Sequence, residues 1–338
     1  MGVGIGDILK KKEIDFSYLE DKVIAVDAYN IIYQFLSSIR QRDGKPLKDS
    51  EGRVTSHLSG ILYRNANLVE AGIRPVYVFD GAPDMMKEGT LEKRKKRKEE
   101  AEEEYKKSLE EGDLERARIK AQQTSRMTDE IEESSKKLLS LLDIPWIQAP
   151  SEGESQGAHM VENEDAWAVG SQDYDTLLFG AGKLVKNLTV TGKRKMPGSS
   201  EYKKISPELI ELEKVLDDLD ITRKQLVDIG ILCGTDYNEG VKGIGPKRGL
   251  KYIKKYDDLE SVLVEKDAEI DNHESIREIF LEPNVTDDYT IRFENELGDV
   301  KGFLCDERDF SEDRVESALE QFKKGIEKRK QSTLLSFD

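Results

Sequence analysis

Six carboxylates stand at the ends of four short apolar runs, and carboxylates grouped that way do metal chemistry. Asp27 closes the run in KVIAVDAYN (22–30), and Asp80 closes that in RPVYVFDGAP (74–83). Glu152 and Glu154 end IPWIQAPSEGE (144–154), and Asp173 and Asp175 end DAWAVGSQDYD (165–175). If each run is a buried strand of one open α/β sheet, six acids meet at the edge where such sheets bind ligands. Neighbouring carboxylates cannot all ionise without compensation, and bound cations supply it. Oxygen-only ligands favour hard ions, Mg²⁺ or Mn²⁺, over zinc. A pair of such ions ~4 Å apart activates water and steadies the leaving oxygen in phosphodiester hydrolysis.

Each site taken singly has a plainer reading. An Asp after a strand is often a turn residue or a helix cap. Ser151 and Glu154 have the spacing of a capping box, and Asp175-Thr176 can open a turn. "DYDT" (173–176) is also close to the D-x-D-x-T/V loop of haloacid-dehalogenase-type phosphatases, where the first Asp is a nucleophile. That reading leaves Asp27, Asp80, Glu152 and Glu154 unexplained. A third reading is a DNA-bound scaffold whose acids only organise structure.

Positioning these acids takes strands alternating with helices. The Val-rich runs above read as buried strands; "KLVKNLTVTG" (183–192) reads as a further one. HLSGILYRNANLVEAG (57–72) and SSKKLLSLLD (134–143) read as helices between them. The alternation predicts an α/β domain around a mostly parallel sheet. The chain has 338 residues, enough for about two domains. Its 36% charged residues, and the lack of an 18-residue apolar run or a signal-peptide core, predict a soluble protein. Two cysteines, Cys233 and Cys305, make neither a disulfide framework nor a zinc cluster.

The net charge of −16 argues against a nucleic-acid partner when taken as a mean, but a mean says little about a local strip. Residues 87–120 hold 23 charged side chains in 34 and seven apolar ones, so the segment can bury little. Residues 242–255 carry six Lys or Arg and no acid, in a stretch where a glycine-rich turn opens a basic helix. This is not a dinucleotide fingerprint, because Gly249 falls one residue late and no strand precedes it. From about 220 onward helical patterns replace strand patterns. No internal repeat is present.

Taken in order, GVGIGDIL, IAVDAYNIIYQFL, TSHLSGILYR, PVYVFDGAP, APSEGESQGAHM, SQDYDTLLFG and GTDYNEGVKGIGPKRGLKYI resemble the flap endonucleases, the structure-specific 5′ nucleases of DNA replication and repair. The resemblance covers nearly the whole chain. It implies a 5′ nuclease (PIN-like) core over 1–222 with a helical arch at about 84–130. A helical region with a helix–two-turn–helix element then spans 223–325, and a flexible tail spans 326–338. It implies two Mg²⁺ ions, with Mn²⁺ able to substitute, on Asp27, Asp80, Glu152, Glu154, Asp173, Asp175 and Asp236. The last of these reads from spacing only as a turn residue.

The resemblance further implies that Lys87 and Arg94 of the arch face the scissile phosphate, and that Tyr33 stacks on a displaced base. Lys242, Gly243, Gly245, Lys247, Arg248 and Lys251 lie against duplex phosphates, with K⁺ at the turn. Residues 40–55 resemble the wedge that splits duplex from a 3′ flap. Gln331, Leu334 and Phe337 match a motif that docks on a sliding clamp (PCNA), with Asp338 where the family has a second aromatic. The implied partner is branched DNA with a 5′ flap. The implied enzyme is an archaeal-type, cytoplasmic, nucleoid-associated monomer without membrane attachment and without the basic extension of eukaryotic relatives. It would cut near the flap junction and act as a 5′–3′ exonuclease as well. The nearest alternative is a relative that acts on bubbles or recessed ends.

Overall fold

The computed structural model describes residues 2–82, 99–105, 107–108, 120, 127–190, 193–195 and 202–335, with backbone only at 193–195, 202–204 and 332–335. Lys87, Arg94, Phe337 and most of the expected arch lie outside these residues.

A seven-stranded sheet runs in the order β1-β9-β6-β5-β2-β3-β4. Its centre is β2 (Val23–Asp27), flanked by β3 (Arg74–Phe79) and β5 (Ala168–Gly170), both parallel to it. The parallel set continues through β4 (Trp146–Gln148) on one side and β6 (Lys183–Lys186) on the other. Antiparallel β9 (Glu208–Glu211) and the short β1 (Lys12–Glu13) close the second edge. β7 (Lys193–Lys195) and β8 (Tyr202–Lys204) form a separate hairpin.

The apolar runs are continuous because both sheet faces are covered. Alternate residues turn to opposite faces. Ile24, Val26, Tyr77 and Phe79 join the core under α1 (Ala28–Ser38), α2 (Ser56–Glu70) and α3 (Asp129–Leu141). Ala25, Val76 and Val78 pack on the other face, with Met160 of α4 (Gly153–Glu162). One expected buried strand is different. β4 is an edge strand with Trp146 and Gln148 exposed and only Ile147 buried. Lys136 covers its outer side, its Nζ 4.9 Å from the Trp146 ring centroid.

After the single turn α5 (Asp175–Leu178), the chain becomes helical: α6 (Leu212–Leu219), α7 (Arg223–Cys233), α8 (Pro246–Tyr256), α9 (Leu259–Lys266) and α10 (His273–Leu281). A capping box between Thr222 and Gln225 starts α7. Pro246 at the first position starts α8.

The long α11 (Glu312–Leu335) returns to α2. Val315, Ala318, Phe322 and Ile326 recur at helical spacing and are buried. Arg329 is buried too, paired with Asp143. Residues 326–335, expected as part of a flexible tail, are thus helical, and Ile326 and Arg329 are buried. A one-stripe amphipathic helix that polar residues dominate reads as a tail in sequence, yet its apolar stripe is covered here by α2.

Gly325 sets the α2–α11 approach, since a Cβ there would lie 2.1 Å from the Val69 carbonyl oxygen. Gly325→Ala is expected to destabilise the protein by about 1–3 kcal/mol, the usual cost of overpacking. Chemical denaturation checks this, and an unchanged midpoint would show that α11 does not dock so closely.

Candidate metal centre

The chain leaves β2 toward β3 and β4 on one side and returns to β5 on the other, so the order reverses between β2 and β5. Ligands bind at such a switch point, beyond the C-terminal strand ends. Asp27 is the last residue of β2 and the N-cap of α1. Asp80 follows β3, and Glu152 and Glu154 follow β4 at the start of α4. Asp173 lies between β5 and α5, and Asp175 opens α5. The six acids predicted from spacing thus arrive from four adjacent strands.

Contacts knit them together. Ser171 Oγ donates to Asp27 Oδ2 or to Glu154 Oε1, 3.1 Å from each. Thr176 Oγ1 reaches the same Glu154 oxygen at 3.3 Å. Asn30 binds Asp173 Oδ2 through Nδ2 at 2.9 Å, while its backbone N–H donates to Asp27 at 3.0 Å. The Gly153 N–H donates to Asp80 Oδ1 at 2.7 Å, and a side chain at 153 would collide with that oxygen. The N-terminal segment closes the far side, where the Val3 N–H donates to Asp175 and Gly2 lies against Asp173 and Asp175. The capping-box reading of Ser151 and Glu154 does not hold. Glu152 is the N-cap of α4, and the Glu154 carboxylate faces Ser171 and Thr176 instead.

The electrostatics call for cations. Burial, then Asp80 and Asp173, push the Asp27 carboxyl from its ordinary 3.8 up to about 8, against the pull of the Asn30 and Ser171 hydrogen bonds. Glu154 is raised well above its ordinary value by burial and by Asp27, Asp175, Asp173 and Glu152. The groups that act most on these two are other carboxylates and neutral donors, with no lysine or arginine among them. Such an oxygen-only cradle fits hard divalent ions. Among the described residues, no three members of the cluster bring one carboxylate oxygen each within 4.8 Å of one another. Mg²⁺ tolerates that spread because it fills its octahedron with waters and substrate phosphate.

Sequence reasoning missed the supporting residues. Asn30 carries a usable signal, three residues after Asp27 on the helix that Asp27 caps. Ser171 also does, two residues before Asp173. Gly2 and Val3 carry none, because only the fold brings residue 2 to residue 175. Lys186 was missed as well. Its buried Nζ donates to the Gln172 carbonyl and lies 3.6 Å from the Tyr174 ring centroid, where its charge acts on Asp173.

The other predicted residues are spread wider. Asp236 is half-buried in the turn after α7. Tyr33 is half-buried on α1, and its hydroxyl oxygen accepts the Met127 N–H at 3.3 Å. Lys242, Lys247, Arg248 and Lys251 are exposed around the start of α8. Gly243 there has a φ of +83°, and Gly245 caps the helix with no side-chain hydrogen bond to its first turn. Residues 40–55 form two isolated bridges, Arg40↔Pro46 and Lys48↔Val54. Gln331 is exposed on the last turns of α11.

The XPG N-terminal domain model matches residues 1–101, and the XPG I-region model matches 143–236. Together they bracket all six clustered acids and Asp236, so fold and site define an XPG-type nuclease. Over its full length the chain is 53% identical to flap endonuclease 1 of Pyrococcus abyssi, covering 98% of that protein. It superposes on the flap endonuclease-1 structure from Methanococcus jannaschii with a TM-score of 0.76 at 42% identity, covering 97% of this chain and 100% of that one. The catalytic core of Rad2 in complex with DNA substrate gives a TM-score of 0.69 at 25% identity, over 95% and 100%. The chain belongs to the flap endonuclease family. The phosphatase reading of residues 173–176 falls with that assignment.

Without metal, a raised carboxyl favours folding only while protonated. Metal-free stability should therefore fall as pH rises from the ordinary carboxylate range through about 8. In EDTA, Asp27→Asn should melt higher than the parent above pH 8, by at least about 2 °C, and lose that advantage toward pH 4. Added Mg²⁺ should restore the parent and not the variant. Parallel melting curves that ignore both pH and metal would contradict the burial of Asp27.

Proposed function

We propose that this nuclease hydrolyses a phosphodiester near the junction of a 5′ flap and leaves a ligatable nick, as part of DNA replication and repair. The same centre serves 5′–3′ exonucleolytic cleavage. The observation that carries the reading is the convergence of six carboxylates, two of them driven toward protonation, on one sheet edge. An anionic phosphodiester would be repelled from that edge unless cations stood between.

Asp27, Asp80, Glu152, Glu154, Asp173 and Asp175 would hold two Mg²⁺ ions, with Asp236 completing the set and Mn²⁺ able to substitute. When bound, such ions activate water for attack and neutralise charge on the leaving oxygen. The chain's own work is positioning. Ser171 spans Asp27 and Glu154. Asn30 ties Asp173 to α1, and the N–H groups of Gly153 and Val3 orient Asp80 and Asp175. Lys87 and Arg94 stabilise charge developing on the phosphate.

Substrate binding is divided between separate strips. The exposed cations at the start of α8 and the N-terminus of that helix hold duplex phosphates, with K⁺ at the Gly243–Gly245 turn. Tyr33 offers a ring for a displaced base. The DNA-bound state of the Rad2 core supports a nucleic-acid role for the shared architecture. Gln331, Leu334 and Phe337 dock on a sliding clamp, and the enzyme acts as a monomer.

Single-turnover cleavage of end-labelled double-flap, gapped and bubble DNA tests the core of this reading. The double flap should be cut fastest, EDTA should stop the reaction, and Asp173→Ala should leave junction binding intact with no detectable product. Undiminished cleavage by Asp173→Ala would remove Asp173 from the metal set, and preference for the bubble would reassign the substrate.

Clamp docking is separable. An anchoring aromatic contributes about 2 kcal/mol, so Phe337→Ala should weaken clamp binding about 30-fold and abolish clamp stimulation without changing clamp-free cleavage. Asp338→Phe should tighten it. Calorimetry of the full chain against its cognate clamp reads both, and unchanged heats in the two variants would leave residues 331–338 without that role.

A further inference from the structure

We propose that Glu260, His273 and Glu274 form a second cation site, of a different chemistry from the carboxylate centre, which takes Zn²⁺ and ties α9 to α10. Among the described residues this is the one set of three His, Cys, Asp or Glu side chains whose ligand atoms all lie within 4.8 Å of one another. Glu260 sits in the first turn of α9; His273 and Glu274 open α10. His273 Nε2 is 3.4 Å from Glu260 Oε1. Two ligands on a tetrahedral zinc, each about 2.1 Å from the ion, stand about 3.4 Å apart.

The imidazole is set as a ligand. Its Nδ1 lies 3.0 Å from the Ile270 carbonyl oxygen, which can only accept, so Nδ1 carries the proton. Nε2 is then the ring atom turned toward Glu260, and a metal-bound histidine usually has its other nitrogen held in this way. Nε2 is shut off from solvent and makes no hydrogen bond, and the atom it faces is Glu260 Oε1 at 3.4 Å. A ring nitrogen and a carboxylate oxygen turned toward each other are both satisfied by a cation between them.

The surroundings hold the carboxylate ready. Arg277 Nη2 donates to Glu260 Oε1 at 2.7 Å while its Nε donates to Asp228 Oδ1 at 2.7 Å. A carboxylate oxygen has a second lone pair, so Oε1 can accept from Arg277 and still ligate. Arg277 and the α10 N-terminus oppose a cation. Glu260, Glu274 and Asp228 favour one, and Lys224 is directed at Asp228. One imidazole with two carboxylates suits a borderline ion such as Zn²⁺, whereas Mg²⁺ takes oxygen ligands. Because α9 packs on both α7 and α8, a bound ion would steady the basic helix as well.

The test is zinc titration of the full chain in excess Mg²⁺, which occupies oxygen-only sites, read by calorimetry and by melting temperature. The parent should bind one Zn²⁺ and melt higher with it. His273→Ala should weaken zinc binding about 100-fold, and Glu274→Gln about tenfold; Glu274 is exposed, so that variant keeps the fold. Asp173→Ala should retain the site. Co²⁺ in place of zinc should give a visible ligand-field band that His273→Ala lacks. Equal zinc affinity in the parent and both site variants overturns the proposal. So does the absence of a zinc equivalent beyond Mg²⁺, or its loss in Asp173→Ala with retention in His273→Ala.

Discussion

Repulsion among the carboxylates at the switch point is the constraint on which the rest of the structure depends. Six acids brought together there oppose folding in the absence of metal, and the raised positions of Asp27 and Glu154 record that opposition. Flexible loops would relax it by moving apart. Parallel strands cannot, because their ends are locked in register by the ladder from β4 to β6. The apolar cores on both faces supply the stability, and the polar edge spends part of it to hold a charge pattern that only cations relieve. Ser171 and Asn30 matter in this light because each bridges two strand ends, so that one side chain resists separation of two acids.

An acidic protein that handles a polyanion must separate its charges in space. The net charge of −16 resides partly in the cluster, where divalent cations would mask it. The exposed cations of α8 are set apart on a helix that buries little more than Gly249 and Ile253. Electrostatic attraction falls off within about 10 Å at moderate salt, so a local strip can grip phosphate despite the global charge. The helical region is held as a unit by ionic contacts such as Asp228–Arg277–Glu260, where Arg277 joins α7, α9 and α10. A cation held by Glu260, His273 and Glu274 would complete that brace.

The amino-acid sequence by itself determined the parts of this protein that depend on neighbours in the chain. The Val-rich runs declared β2, β3 and β5, since a strand buried on both faces has to be apolar throughout. The acids at their ends were legible because parallel strands share one C-terminal edge. The basic strip at 242–255 was legible because helix α8 needs no distant partner to display its lysines. Tertiary structure alone decided what depends on distant segments. It decided that β4 is an exposed edge, that Glu154 faces Ser171 and Thr176 and caps nothing, and that α11 stays docked through Ile326 and Arg329. It also brought Gly2 and Val3 to Asp175, and His273 to Glu260. Local patterns record which face of an element is apolar, while the identity of the element that covers that face comes from long-range packing, and no spacing in the chain encodes it.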